Sequence, residues 1–318
     1  MKDYILSFII LLLLVTYNLK AQDVKNEISI LFYNVENLFD TINDPLKLDN
    51  EFTPTGQRSW TSFKLNRKQN NIRRAIISSS DWSFPDIIAL CEIEKLNLVE
   101  DLLQEKIFQN ASYKVLYKEN EDLRGIDIAL AYDSTKISIL SYEWIKIHLE
   151  RPSRDILYVF LMHNGVCINL YVNHWPSRYN GVLESEGSRL EASSVLSTHI
   201  DSIKQSKENP FFIVCGDFND QATNQSLSKL INKYDLVNLK DSKAKGTIKY
   251  QGFWYNFDHF IISKNLKQQI SSFRICNKSF LMEDDLKFGG KKPYRTFNGF
   301  KYNGGYSDHL PILLKIRF

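Results

Sequence analysis

Residues able to do acid–base or metal chemistry recur in this 318-residue chain at the points where an apolar run stops. Asn34 and Glu36 follow "ISILFY", Glu92 follows "DIIALC", and Asn173 and His174 follow "CINLYV". Asp217 and Asn219 follow "FFIVCG", Asp258 and His259 open "FIIS", and Asp308 and His309 precede "LPILL". Asp and Asn are ordinary turn residues, so any one of these places is as readily a turn as a site. Together they carry more weight. At about one in twenty per fixed residue, G-D-x-N arises by chance in roughly 4% of chains this long. "SDHLP", counted at four fixed positions, arises in roughly 0.2%. Carboxylates and an amide suit Mg²⁺, a hard cation that takes one or two carboxylates and keeps several waters. Histidine beside a carboxylate suits proton transfer. The pattern therefore suits a site that holds a hard cation and moves protons. Ser307, Asp308 and His309 are not a serine triad, because neighbours on an extended strand point to opposite faces.

These groups need a frame that brings separate strand ends together. Strand-like runs recur from "ISILFYN" to "LPILLKI", several of them continuously apolar as expected of strands covered on both faces. Helical stripes lie between them. One runs through Ala192, Val195, Leu196, His199, Ile200 and Ile203 within Glu184–Gln205, and another through Ile72, Ala75 and Ile76 within Lys64–Ser79. His199 on its stripe is expected to be packed and not to be a ligand. No linker, low-complexity tract or internal repeat interrupts the pattern, so residues 22–318 form one α/β domain. With about eight to twelve strands, two stacked sheets with outer helices fit better than one open sheet. Strand ends at one edge of such a stack can converge on a cleft.

A formal charge of +3 and a pI near 8.4 are too mild to argue for nucleic acid from net charge. Lys2 followed by "YILSFIILLLLVTY" and a small residue, Ala21, reads as a secretory signal peptide over residues 1–21, implying a periplasmic or extracellular protein. That apolar run is shorter than the roughly 20 residues a bilayer span needs, so no stable membrane anchor is expected. Cys91, Cys167, Cys215 and Cys276 form no CxxC pair and are expected as buried free thiols, since a large core needs no disulfide staple. Oligomeric state is not written in the sequence; a monomer is favoured.

"YNVEN", "CEIE", "NHWPSR", "GDFND", "FDHF" and "YSDHLP", in this order, resemble the motifs of the endonuclease/exonuclease/phosphatase superfamily, which includes deoxyribonuclease I and neutral sphingomyelinases. The similarity runs from Ile28 to the C-terminus. "WTSFKLNRKQNNI", "RGIDIALAY" and "NGGYSDHLP" resemble a secreted bacterial nuclease-like branch. The resemblance implies a four-layered α/β sandwich and Mg²⁺-dependent phosphoester hydrolysis, with Mn²⁺ or Ca²⁺ as other possible ions. It implies Glu92, Asn34, Glu36 and Asp308 as metal ligands. His309 is implied as the catalytic histidine, with Asp258 holding its imidazole. Asp217 is implied to position or deprotonate water, with Asn219 bonding a phosphate oxygen and His174 serving as a second histidine. Asp127 of "RGID" is suggested to orient His174. Arg124 and Arg178 are candidate phosphate contacts, since guanidinium offers a bidentate fork.

Asp217 and Asn219, two apart, would face the same side of an extended segment while Phe218 faces the core. Asp220 is expected to be a turn cap, and His259 is assigned no role. Nucleic acid is the leading substrate, because "KFGGKKPYR", Lys287–Arg295, supplies basic and aromatic surface shortly before "SDHLP". The alternatives are a phospholipid or a small phosphoester such as a sugar or inositol phosphate. A lipase acting on membranes would need an exposed apolar hairpin, and none stands out in the sequence. A binding module that has lost activity is the least favoured reading, since every motif is intact.

Overall fold

A computed structural model describes residues 26–178 and 181–318. The signal-peptide reading falls outside them. Twelve strands make two six-stranded mixed sheets. The first holds β1 (Glu27–Leu38), β2 (Ile87–Ile93), β3 (Tyr113–Tyr117), β4 (Asp127–Asp133), β11 (Ile270–Ile275) and β12 (Ile312–Arg317), in the order β11-β12-β1-β2-β4-β3. The second holds β5 (Ser138–Ile145), β6 (Ile156–His163), β7 (Val166–His174), β8 (Phe212–Asp217), β9 (Leu236–Asn238) and β10 (Asp258–Ser263), in the order β5-β6-β7-β8-β10-β9. Three short hairpins lie outside the sheets.

The continuously apolar strands are apolar because both of their faces are covered. In the second sheet Val159, Leu161, Leu170, Val172, Ile213, Cys215, Phe260 and Ile262 share one core with the first sheet. Their alternating neighbours Tyr158, Tyr171, Phe212, Val214 and Ile261 pack with Ala192, Leu196 and Ile200 of α3 (Glu186–Ser206) and Leu227 and Leu230 of α4 (Gln225–Tyr234). On the other side Ile72, Ala75 and Ile76 of α1 (Ser62–Ser79) and Leu98, Val99 and Leu102 of α2 (Leu96–Gln104) cover the first sheet. The result is the four-layered α/β sandwich. Each fully buried Leu, Ile or Phe contributes about 1.5–3 kcal/mol, which makes this core the rigid base for the strand ends. His199 packs between Tyr158 and Tyr171, at 4.6 and 5.5 Å ring to ring, and meets the Tyr171 hydroxyl at 2.8 Å.

Two parallel pairs set the functional edge. β1 runs parallel to β2 and β7 parallel to β8, so the C-terminal ends of the central strands of both sheets lie together. Register then lines up side chains. Asn34 stands opposite Cys91, His174 opposite Asp217, and Asp217 opposite Asp258. All four cysteines are free; Cys91, Cys215 and Cys276 are buried, but Cys167, at the start of β7, is exposed, unlike the expectation. Among the described residues no helix is long and apolar enough to cross a membrane.

Candidate active site

The site begins with irregularity in otherwise regular strands. The β1–β2 register shifts between Asn34 and Leu38, and the β2–β4 register shifts between Cys91 and Ile93. The bulged residues Glu36, Asn37 and Glu92 have φ of 54°, 56° and 65°, a left-handed backbone uncommon outside glycine. Bulges of this kind re-aim side chains at the end of a ladder, and strain of this kind gathers at functional sites. The bulge at Glu92 leaves its carboxylate accepting from the Asn34 amide at 3.2 Å and from the Asn37 backbone N–H at 2.8 Å. Asn34 also donates to Asp217 at 3.0 Å, and its own oxygen accepts from Glu36 N–H at 3.0 Å. One amide thus joins the two sheets across the cleft.

In β8 the glycine of "GDFND" has a definite task. A Cβ on Gly216, at φ +150°, would lie 2.2 Å from the carbonyl oxygen of Asn173, so only glycine lets β7 and β8 approach here. The next residue, Asp217, sits between the two histidines, with His309 Nε2 at 3.7 Å and His174 Nε2 at 3.9 Å. His174 Nε2 is also 3.9 Å from Glu92. Asp258 accepts from His309 Nδ1 at 2.7 Å, which fixes the ring with Nε2 toward Asp217. Ser307 locks the segment: its hydroxyl donates to the Asn34 carbonyl at 2.7 Å and accepts from His309 N–H at 3.0 Å.

The electrostatics separate the two histidines. Burial alone would lower His309, but the carboxylates of Asp258 and Asp217 outweigh it and hold the imidazolium well above the ordinary range. His174 is pushed well below that range by burial, with Arg154 and Arg124 adding to the effect. Burial raises the Asp217 carboxyl to about 7; His309 opposes the rise and Asp258 adds to it. One histidine is therefore a cation and proton donor, the other a neutral ligand or acceptor, and Asp217 can exchange a proton near neutrality.

A second acidic patch lies beside the first. Glu36, buried, accepts from Arg295 Nε at 3.2 Å and from Thr296 N–H at 2.6 Å, while Asp308 accepts from Arg295 at 3.0 Å. Lys68 underlies it, donating to the Thr296 hydroxyl and to the Tyr306 carbonyl, and burial lowers its ammonium to about 8 against the opposing charges of Glu36, Asp308 and Glu92.

The donor set fits a hard divalent cation. Each Glu92 oxygen accepts a single N–H from Asn34 or Asn37, which leaves a lone pair on each, and its side chain keeps 18% exposure to the cleft. Asp217, Asp258 and His309 are also compact enough to bind an ion, their donor atoms lying within 4.8 Å of one another. The direct His309–Asp258 bond makes that trio a proton-handling group.

Four expectations change in detail. Asp127 does not orient His174: its carboxylate accepts from Asn120 N–H at 3.1 Å, from the Asn120 amide at 3.0 Å and from Tyr117 at 3.0 Å, because it opens β4 on the far side of β2. Arg178 braces the loop from behind, donating to Asn219 O at 2.6 Å and to Asp220 at 2.6 Å. Arg124 is clasped by Asp122 at 2.8 Å, through both carboxylate oxygens, although its charge is felt at Glu92 and His174. The segment after Asp217 is not extended. Asn219 turns at φ 51°, its N–H bonds Asp217 at 2.9 Å, and its amide donates to the Trp175 carbonyl at 3.0 Å. Phe218 is fully buried, and Asp220 links Arg178, Arg189 and Ser226 away from the cleft. His259 bonds Asn238 and the Asp220 carbonyl outside the catalytic cluster.

Lys68, Arg154 and Ser307 were not assigned from sequence, and Arg295 entered only as the end of the basic segment Lys287–Arg295. Arg154 is 2% exposed, pairs with Asp122 at 2.8 Å and donates to the carbonyls of His174 and Trp175 at 3.2 and 2.7 Å. Lys68 did carry a signal, since it sits four residues before Ile72 on the buried stripe of α1. Arg154 in "RPSRD" carried none.

Chain order, two-sheet frame and site together define a phosphoester hydrolase. The chain belongs to the Endonuclease/Exonuclease/phosphatase family, whose profile matches residues 29–317. Members hydrolyse phosphoric esters and generally use a divalent metal. Comparison with curated proteins found no match. Among solved structures, an endonuclease/exonuclease/phosphatase family protein from Bacteroides thetaiotaomicron is 15% identical with a TM-score of 0.58, covering 92% of this chain and 95% of that one. A mannosyl-6-phosphatase of Bacteroides thetaiotaomicron VPI-5482 is 14% identical with a TM-score of 0.57, covering 92% and 100%. The human Nocturnin catalytic domain with bound sulfate is 16% identical with a TM-score of 0.56, covering 93% and 96%. At these identities the likeness is one of fold.

Proposed function

We propose that the protein is an exported, divalent-metal-dependent phosphodiesterase whose substrate is nucleic acid. The observation that carries the chemistry is the cluster in which one amide, Asn34, bonds both Glu92 and Asp217 while His309, held by Asp258 at 2.7 Å, faces Asp217 at 3.7 Å. Glu92, its carboxylate steadied by the Asn34 amide, would hold Mg²⁺, which when bound would neutralise the charge of the phosphate. Asp217, raised to about 7 mainly by burial, accepts the proton of the attacking water. The His309 imidazolium, whose Nε2 Asp258 keeps as the donor, bonds the ester oxygen and gives it a proton as the P–O bond breaks, so the leaving group departs as an alcohol. Neutral His174 flanks the same space and accepts a further hydrogen bond. Arg295 adds positive charge beside Asp308. Export is supported by the leader-like residues 1–21.

A small phosphoester is the second reading. It is favoured by a 280 Å³ pocket on the His174 side, lined by Arg124, Arg151 and Arg154 together with Asp122 and Glu184, which would suit a compact polar group such as a sugar phosphate. Incubation of the purified protein and Mg²⁺ with plasmid, RNA, sphingomyelin and sugar phosphates separates the readings. Nucleic acid cleavage is expected, and phosphate release from sugars alone would favour the second.

A further inference from the structure

A hairpin outside both sheets, Ile248–Tyr250 paired with Phe253–Tyr255, stands beside the catalytic centre. Its turn residues Gln251 and Gly252 have φ of 48° and 88°, the signs of a tight two-residue hairpin turn. Its root is tied to the catalytic segment. Leu310 N–H donates to the Thr247 carbonyl at 2.8 Å, and Ile248 forms a bridge with His309. The Thr247 hydroxyl accepts from Phe257 and Asp258 N–H at 3.2 and 3.3 Å.

The two faces of the hairpin differ. Register pairs Tyr250 with Phe253 and Ile248 with Tyr255, placing three aromatic rings on one face. Tyr250 and Phe253 are 63% and 68% exposed, an exposed apolar hairpin where none was expected from sequence. The aromatic row continues inward: Tyr255 meets Phe257 at 5.4 Å, and Arg178 lies 4.7 Å over Phe257 while holding Asn219. On the opposite face Lys249 and Trp254 help to line a 590 Å³ groove with Lys243, Lys245 and Phe288. Lys249 is paired with Asp285 and Lys291, which also lines the groove, with Asp284, each at 2.7 Å, which leaves Lys243 and Lys245, both exposed, to supply the charge.

Rows of aromatic rings beside cations match a single strand of nucleic acid, whose bases stack and whose phosphates need neutralising. We propose that this hairpin is an arm that holds single-stranded nucleic acid next to the scissile bond, with bases on the Tyr250–Phe253–Tyr255 face and phosphates drawn toward Lys243 and Lys245. The assignment rests on the nucleic-acid reading above. A bilayer is disfavoured as the partner because the lysines line a concave groove, which a flat surface cannot enter, and because the hairpin root is bonded to the catalytic segment at His309 and Leu310.

The test measures binding of a fluorescein-labelled short oligothymidylate by anisotropy, using full-length His309→Ala protein to prevent cleavage, from low to physiological salt. Tyr250→Ala with Phe253→Ala should weaken binding about tenfold or more with an unchanged salt slope, since stacking is uncharged. Lys243→Gln with Lys245→Gln should flatten the log–log salt slope by about 1.4, two single-strand phosphate contacts. In parallel, the His309-intact protein is assayed for cleavage of the same oligonucleotide. Cleavage without any change of affinity in either variant pair overturns the arm and leaves the nucleic-acid reading standing. Hydrolysis of other phosphoesters with neither cleavage nor binding of oligonucleotide overturns both. Binding to phosphatidylserine vesicles that is lost in Tyr250→Ala with Phe253→Ala, without oligonucleotide binding, reassigns the face to membranes and overturns the arm.

Discussion

Replacing Asp258 by Asn changes two atoms' chemistry and little of their shape. The Asp258 carboxylate accepts from His309 Nδ1 at 2.7 Å, with both side chains buried. A charged hydrogen bond of this kind contributes about 1.5–3 kcal/mol, which is roughly 10–150-fold in rate if it acts in the transition state. An asparagine amide also favours the wrong tautomer of the ring, a change that costs about 10⁴ in the serine-protease histidine–carboxylate pair. The expected fall in kcat is therefore about 10²–10⁴-fold, with KM much less affected. His309 should also titrate at a lower pH than in the parent, because Asp258 is the first of the charges that oppose its burial. The fold should tolerate the change: one Asp258 oxygen has no partner, and its charge lies beside Asp217. Steady-state hydrolysis of an activated phosphodiester, an NMR titration of His309 and a thermal melt read the three effects. A variant with kcat within about threefold of the parent and an unshifted His309 would refute the assignment of this pair.

Asp122→Asn should destabilise the protein by about 3–5 kcal/mol, because it leaves Arg154 buried without its counter-charge; chemical denaturation reads this directly. The arginines Arg124 and Arg154 hold the Asp122 carboxyl well below its usual range despite burial, so its contribution is complete above about pH 4 and is lost as pH falls below that. Melts from pH 5 to pH 3 should accordingly decline more steeply in the parent than in the variant. Gly216→Ala forces a Cβ against the Asn173 carbonyl at 2.2 Å and should cost about 1–3 kcal/mol together with most of the activity, measured by melt and hydrolysis on the same sample. Removal of divalent ions with EDTA should abolish hydrolysis, and added Mg²⁺ should restore it; activity that survives exhaustive chelation would contradict the role given to Glu92.

The frame and most of the cluster were legible because they rest on local rules. Continuous apolar runs announced strands covered twice, and polar residues at run ends marked one edge of both sheets. What sequence could not carry was direction after a strand ends. The turn at Asn219 and the bulges at Glu36 and Glu92 depend on left-handed backbone that Asn and Glu adopt only under tertiary constraint. Asp127 was paired with the wrong partner because adjacency to "RGI" says nothing of which neighbours close over β4. Arg154 and Arg295 find their acids across 32 and 13 residues of chain, distances at which one charge looks like any other. The aromatic hairpin was missed for a similar reason. Nothing in "IKYQGFWY" by itself says which rings face outward; the hairpin register does.

The most direct test of the central claim is to incubate the purified protein, with Mg²⁺ and after EDTA, with a labelled single-stranded oligonucleotide. His309→Ala and Glu92→Ala serve as controls. Metal-dependent cleavage by the parent, absent in both variants while their melts stay close to the parent's, is the result expected. Cleavage that persists in either variant, or no cleavage of nucleic acid while sugar phosphates are hydrolysed, would contradict it.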